Sequence, residues 1–372
     1  MPRYSDDEIL AAYEQAGTKA GAARLLDMDE RGYKRRFKRI NKPKEYQAPD
    51  GYYVKGVSTL QDAEGNVKVR WVKTDLDKER ALELMREVVS AMASEIQPER
   101  AVTRSISDTR ADLLNCYILT DYHLGMYAWG EETGADWDIQ IAEDLLVDWF
   151  AIAIEQAPPA KVGIFAQLGD FLHWDGMDAV TPTSNHLLDA DTRFQLVVRV
   201  AIRVVRRIIR MLLDKHERVH VIMGEGNHDP ASSVWLRELM HSLYAEESRV
   251  TVDTSVDPYY CYEHGKTSLF FHHGHKRKPK NVDHVFASKF REVFGRTQFS
   301  YAHLGHLHNN TSEETNLMEV EQHRTLASPD AYAVRGGWGS GREAKVITYH
   351  AEYGQTGRIT ISPDMVRDAK DA

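Results

Sequence analysis

Nine histidines of this 372-residue chain, His123, His173, His228, His272, His273, His275, His303, His306 and His308, fall in short clusters beside glycine, aspartate or asparagine. These clusters constrain the fold more than any average property, because they follow short apolar runs that alternate with helical segments. Leu113 to Leu119 runs on to Asp121, Lys161 to Leu168 to Asp170, and Arg218 to Met223 to Asn227. Ser268 to Phe271 runs on to His272 and His273, and Phe299 to Leu304 to His306. Strands that release polar residues from their carboxyl ends into one crevice are how open α/β sheets build sites. An α/β domain with five converging strand ends is the expectation.

The clusters read Asp121-Tyr122-His123, Gly169-Asp170, Gly226-Asn227-His228-Asp229, His272-His273-Gly274-His275 and Gly305-His306-Leu307-His308. They offer oxygen and imidazole nitrogen and no thiolate, which argues against a structural zinc ribbon and for Mn, Fe or Zn with exchangeable water. Glycine beside the clusters permits the sharp backbone bends that turn near neighbours toward one ion. Two divalent ions sharing a carboxylate would generate a hydroxide at neutral pH and clamp a phosphoryl oxygen for in-line attack. A histidine that is not a ligand is then needed to protonate the departing oxygen; His228, next to Asn227, is placed to do so, with Asp229 as its orienting carboxylate.

In order and spacing, these five blocks resemble the calcineurin-like metallophosphoesterases, whose pattern is D-x-H, G-D, G-N-H-D or G-N-H-E, H-G-H and G-x-H. The likeness covers about Asn115 to His308 and continues more weakly to about His350. It implies a metallophosphoesterase fold of two packed mixed β-sheets flanked by helices. It also implies one metal held by Asp121, His123, Asp170 and His308 and a second by Asp170, Asn227, His273 and His306, with Asp170 bridging. In the fourth block the family's ligand is the histidine directly before glycine, so His273 is preferred to His272. The Gly169-to-His173 block is most similar to the Mre11/SbcD-type nucleases, in which the position of His173 approaches the substrate phosphate; a helix-cap role is the alternative. The metals implied are two divalent ions, Mn²⁺ first, with Fe or Zn as alternatives. His275 and His303 are read as supporting or structural.

The first forty residues read as three short helices. Ser5 before Asp6, Asp7 and Glu8 is an N-cap signature, Gly17 closes the first helix, and a second runs from about Lys19 to Leu26. In the third, from near Asp29, Tyr33, Phe37 and Ile40 face inward while Arg31, Lys34, Arg35, Lys38 and Arg39 project outward. This is a helix-turn-helix pattern, and the stretch from Arg31 to Lys44 holds eight basic residues and no acidic one. DNA contact is the expectation, against a tri-helical cap with a solvated basic face. Lys276, Arg277 and Lys278, directly after the fourth block, form a basic loop at the mouth of the site suited to a phosphate backbone. The arginine stripe of the helix Arg193 to Leu213 reads as a solvated outer face.

The expected organisation is a small all-α helix-turn-helix domain over 1–44, then a linker, β-hairpin and helix connector over 45–110. The metallophosphoesterase domain follows over 111–362, with a solvated tail over 363–372. Forty-seven basic against 56 acidic residues give a formal charge of −9, so nucleic-acid affinity must come from local patches. Two widely separated cysteines, no signal-peptide pattern and no spanning apolar run suggest a soluble, cytoplasmic protein with no membrane partner.

The reading these features favour is a metal-dependent phosphodiesterase that cleaves DNA, a nuclease, with the N-terminal module binding the substrate. One alternative is a phosphatase or small-molecule phosphodiesterase that uses the helix-turn-helix for docking. Another is a DNA-binding regulator with a sensing metal domain, against which the retention of Asn227, His228 and Asp229 speaks. Only 64 residues follow His308, too few for the DNA-capping domain of the Mre11/SbcD-type nucleases, so a partner ATPase is not expected. A homo-oligomer stays open.

Overall fold

The computed structural model of the protein describes residues 4–40, 52–61, 67–76, 90–91, 108–182 and 186–371. The linker expected after Ile40 and most of the helix expected over Leu76 to Ile96 lie outside them. The chain divides into two compact units, Met1–Glu87 and Val88–Ala372.

In the first unit, helices α1 (Asp6–Ala16), α2 (Lys19–Leu25) and α3 (Glu30–Ile40) form a small core. Ser5 caps α1 through a reciprocal capping box with Glu8, and Gly17 ends it at φ 67°, a left-handed position suited to glycine. Tyr33 and Phe37 bury their rings with Ile9, Ala12, Ala22 and Ala23, and the Tyr33 hydroxyl donates to the Ile9 carbonyl at 2.6 Å. Arg36 is tied to the Asp6 carboxylate at 2.8 Å. Strands β1 (Tyr52–Gln61) and β2 (Val67–Leu76) pair antiparallel as the expected hairpin, each beginning where alternation places it and running on past the expected carboxyl ends, Ser58 and Val72.

The second unit holds two mixed sheets flanked by helices, as the resemblance implies. Strands β3 (Arg110–Leu119), β4 (Ala160–Gln167), β5 (Arg218–Met223) and β6 (Val250–Val252) run parallel. The sheet is completed by β12 (Ala344–His350) and β13 (Gly354–Ile361) in the order β13-β12-β3-β4-β5-β6. The second sheet has the order β10-β11-β9-β8-β7. In it, β8 (Thr267–His272), β9 (Phe299–Leu304) and β11 (Glu319–Gln322) are parallel, while β7 (Tyr260–His264) and β10 (Thr311–Glu314) are antiparallel edges.

Side-chain alternation along each strand sets the layers. Leu114, Cys116 and Ile118 of β3 meet Leu269 and Phe271 of β8 between the sheets. Tyr117 and Leu119 point the other way, against Phe150 of the helix Ile139–Gln156 and the apolar face of the helix Phe194–Lys215. Phe270 of β8 and Leu304 of β9 pack on Val282 and Phe286 of the helix Val282–Lys289. The order helix, sheet, sheet, helix follows, and the carboxyl ends of β3, β4, β5, β8 and β9 all precede the histidine clusters.

On the helix Phe194–Lys215, Arg199, Arg203, Arg207 and Arg210 are exposed and Arg206 is half-buried; Arg203 donates to Glu143 at 2.7 Å. The solvated tail expected over 363–372 is corrected: Pro363–Asp371 is a helix whose Val366 is buried in the main core. One inward residue in a short polar helix leaves too faint a period to read from sequence. Among the described residues no helix is long and apolar enough to cross a membrane.

Candidate metal centre

Seven described non-glycine residues have φ in the left-handed region, and five of them are Asp121 (52°), His123 (49°), Asp170 (53°), His306 (77°) and His308 (52°). Such backbone costs on the order of 1–3 kcal/mol per residue and persists only where surrounding bonds enforce it. Those bonds lace the strand ends together. The N–H of Asp121 donates to the Gly169 carbonyl (3.0 Å), that of His123 to the Asp170 carbonyl (3.1 Å), and that of Gly305 to the His273 carbonyl (2.8 Å). Between the two sheets, the His306 N–H reaches Asp121 Oδ2 at 2.8 Å, and between neighbouring strand ends of the first sheet the His228 N–H reaches Asp170 Oδ1 at 2.8 Å.

Two donor sets that include a carboxylate result, Asp121 with His123 and His308, and Asp170 with His273 and His306, and a third is all histidine, His123 with His173 and His228; within each set the candidate ligand atoms lie no more than 4.8 Å apart. His308 Nε2 is 3.0 Å from Asp121 Oδ1. His273 Nε2 lies 3.1 Å from Asp170 Oδ2, 3.1 Å from Asn227 Oδ1 and 3.9 Å from Asp121 Oδ1, so it joins the two sets. His272 is elsewhere: its Nδ1 meets the Pro258 carbonyl at 2.8 Å and its ring stacks on Tyr259.

The electrostatics fit a cation. Asp121 and Asp170 are both buried. Burial pushes both carboxyls up, but His308 and His273 outweigh it at Asp121, and His273, His228 and His123 at Asp170, so both are held low. Burial alone would push His273 down; Asp170 and Asp121 carry it up to about 9. An imidazolium thus supplies charge where the donor set calls for metal. Burial, with the charges of His228, His173 and His308, drives His123 well below its ordinary value, into the neutral form that ligates.

His228 and His173 complete the histidine cluster. The His228 ring is 4.7 Å from that of His123 and 5.6 Å from that of His173, and His228 Nδ1 donates to the His173 carbonyl at 2.8 Å. His173 Nδ1 is 3.3 Å from His123 Nδ1, and its buried Nε2 has no hydrogen-bond partner. The helix-cap alternative for His173 is not met, since no described helix begins or ends there.

The role expected for Asp229 is corrected. Its carboxylate accepts from the N–H groups of Asp170 (3.1 Å) and Leu172 (3.0 Å), so it braces the Asp170 loop, while a carbonyl orients His228. Burial and the charge of Asp170 push Asp229 up to about 8. Gly226 is required by close approach: a Cβ there would lie 2.0 Å from Asp170 Oδ1. Two supports escaped sequence reading. Thr120 Oγ1 donates to Asp121 Oδ2 and Thr325 Oγ1 to the Asp121 carbonyl, both at 2.6 Å. Thr120 is legible as the neighbour of Asp121, whereas Thr325 lies 204 residues away in sequence and carries no local signal.

His275 lies beside His273, with its Nε2 4.0 Å from Glu225 Oε1. The basic loop follows directly, with Lys276, Arg277 and Lys278 exposed. In the first unit Arg31, Lys34 and Arg35 are exposed and Lys34 pairs with Glu30; the side chains of Lys38 and Arg39 lie outside the described residues.

No family model matches the chain, and no curated protein does. Solved structures do match. A predicted phosphoesterase from Streptococcus pneumoniae is 10% identical, covering 67% of this chain and 98% of its own, with a TM-score of 0.28. An archaeal phosphodiesterase is 12% identical, covering 66% and 99%, with a TM-score of 0.33. The phosphopantetheinyl hydrolase of Mycobacterium tuberculosis is 9% identical, covering 61% and 93%, with a TM-score of 0.24.

Proposed function

We propose that the second unit is a dinuclear metal-dependent phosphodiesterase and that its substrate is DNA, gripped in part by the N-terminal helices. The observation that carries the reading is the pair of mixed oxygen and nitrogen donor sets joined through His273, with His228 beside them in an all-histidine group with His123 and His173 that offers no carboxylate. Asp121, His123, Asp170 and His308 would hold one ion, and Asp170, Asn227, His273 and His306 the other. Divalent ions there, Mn²⁺ foremost, supply an activated water and a clamp on the phosphoryl oxygens.

The chain's own residues do the rest. As the water oxygen bonds to phosphorus, the bond from phosphorus to the leaving oxygen breaks, and that oxygen needs a proton. His228 commits Nδ1 to the His173 carbonyl, which leaves Nε2 to deliver it. Asp229 holds the Asp170 loop in register through two backbone N–H groups. His173, buried against both His123 and His228, would approach the substrate phosphate. Support for DNA comes from the exposed basic loop Lys276 to Lys278 after β8 and from the exposed Arg31 and Arg35 of α3.

The test is hydrolysis of end-labelled linear and circular DNA by metal-stripped full-length protein resupplied with Mn²⁺, beside a generic phosphomonoester, with His228→Ala as the control. DNA cleavage absent from the variant supports the nuclease, and the contrast of linear with circular substrate separates exonucleolytic from endonucleolytic action. Brisk monoester hydrolysis without DNA cleavage makes the protein a phosphatase.

A further inference from the structure

Beyond the metal ligands, the chain leaving β3 builds a cavity of about 210 Å³ lined by Tyr127, Ala128, Trp129, Glu132, Thr133, Asp189 and Ala331. That is below the roughly 300–1,000 Å³ of pockets that enclose a whole ligand. It suits one flat ring system. Tyr127 lies four residues after His123, and the intervening turn is closed by the Met126 N–H on the His123 carbonyl at 3.0 Å. Ala331 is also connected to the metal centre, because Thr325, whose hydroxyl bonds the Asp121 carbonyl, leads to it through Ser328 and Asp330.

The lining combines two chemistries. Tyr127 and Trp129 are 47% and 52% exposed although the loop carrying them is pinned. Thr133 Oγ1 donates to the Trp129 carbonyl, the Gly130 N–H to Asp136, and Ser328 Oγ to the Ala135 carbonyl. Large rings held rigidly toward solvent face no packing need, and they present π-surfaces at low entropic cost. Glu132 and Asp189 add carboxylates, which accept hydrogen bonds and donate none. Arg335 donates to Glu132 Oε1 at 2.6 Å.

We propose that this cavity is a nucleobase subsite: one unpaired base stacks on Tyr127 and Trp129 and turns its N–H edge to Glu132 and Asp189, beside the phosphodiester held at the metal centre. A base–aromatic stack is sequence-tolerant, and every DNA base has an amino or imino hydrogen to offer the two acceptors. The substrate class is then a nucleic-acid strand unpaired at the point of cleavage. This inference rests on the phosphodiesterase reading for its link to cleavage, but base binding can be measured without turnover.

The experiment follows tryptophan fluorescence of metal-free full-length protein titrated with a short single-stranded DNA and with an abasic strand of equal length. The DNA with bases is expected to bind about tenfold more tightly, within the range one base–aromatic stack supplies. Trp129→Ala should erase that difference and Trp129→Phe should keep most of it. Equal binding of the two strands by the wild type, or undiminished discrimination in Trp129→Ala, overturns the subsite. Hydrolysis of methyl 4-nitrophenyl phosphate by the Mn²⁺-loaded wild type is run alongside. Its absence sinks the phosphodiesterase reading and the subsite's link to cleavage, while base-dependent binding would still stand as observed.

Discussion

Among the described residues, two clusters join histidines to a buried carboxylate, and they balance its charge differently. At the strand ends, Asp121 and Asp170 meet His123, His273, His306 and His308. In the second sheet, His303, Glu321 and His323 also come within ligand reach of one another. There Glu321 accepts from Lys345 at 2.7 Å and from Arg358 at 2.7 and 2.8 Å, and His303 is bonded to His323 (3.0 Å) and Tyr349 (2.8 Å). Fixed cations already neutralise that acid. The difference is visible at one histidine of each: burial takes His303 down to about 4, whereas two carboxylates overcome burial and lift His273 to about 9, although His123 and His306 beside it are depressed by burial. Residue types alone therefore do not define a metal site; the unbalanced negative charge does.

The largest effect that would test this contrast is at Asp170. Asp170→Ala should abolish stoichiometric metal binding and with it all turnover, read by elemental analysis of dialysed protein. His228→Ala should keep the metals and lose about 10²- to 10⁴-fold in kcat, the usual span for a general acid. Equal metal loss in both variants would contradict the separation of roles.

In the second cluster, Glu321→Gln should leave metal content untouched but cost about 3 kcal/mol of unfolding free energy in denaturant titrations, because buried Lys345 then keeps only the more distant Glu343 carboxylate, at 3.5 Å, as counter-charge and Arg358 loses its carboxylate partner. Metal loss in that variant would erase the distinction between the clusters.

No larger is the pH response of the metal-free protein. His303, depressed in the folded state, contributes stability that is complete above pH 6.5 and lost as pH falls from there toward about 4. His273, raised in the folded state, contributes stability that is complete below 6.5 and lost as pH rises through about 9. Each limb is worth ~3 kcal/mol at 1.36 kcal/mol per pK unit. Metal binding near neutral pH should displace the His273 proton, so its heat measured by calorimetry should vary with the ionisation enthalpy of the buffer. A buffer-independent heat would contradict the protonated His273.

The helices α1 to α3, the hairpin and all five motif-bearing strands are legible because their signals are local. Ser5 and Gly17 bracket a helix, and strands of six to ten residues, each read from a short apolar run, stop at polar clusters. The helix Pro363–Asp371 was not legible, since burial of Val366 is set by a core formed far away in sequence. The same reason hid Thr325 and assigned Asp229 to the wrong partner: adjacency in sequence suggested His228, whereas the fold brings the Asp170 and Leu172 amides to its oxygens.

By itself the sequence determined which residue types gather at the strand ends, because a short apolar run followed by Gly, Asp, Asn or His dictates a strand and its polar terminus. The tertiary structure alone decided how these residues are used. It closed five loops on one another by backbone hydrogen bonds, enforced left-handed backbone at five of the donors, and distributed the cations. Lysine and arginine were sent to Glu321, and Asp121 and Asp170 were left with histidines. Charge balance in a buried site is a sum over neighbours distant in the chain, and it exists only once the sheets have packed.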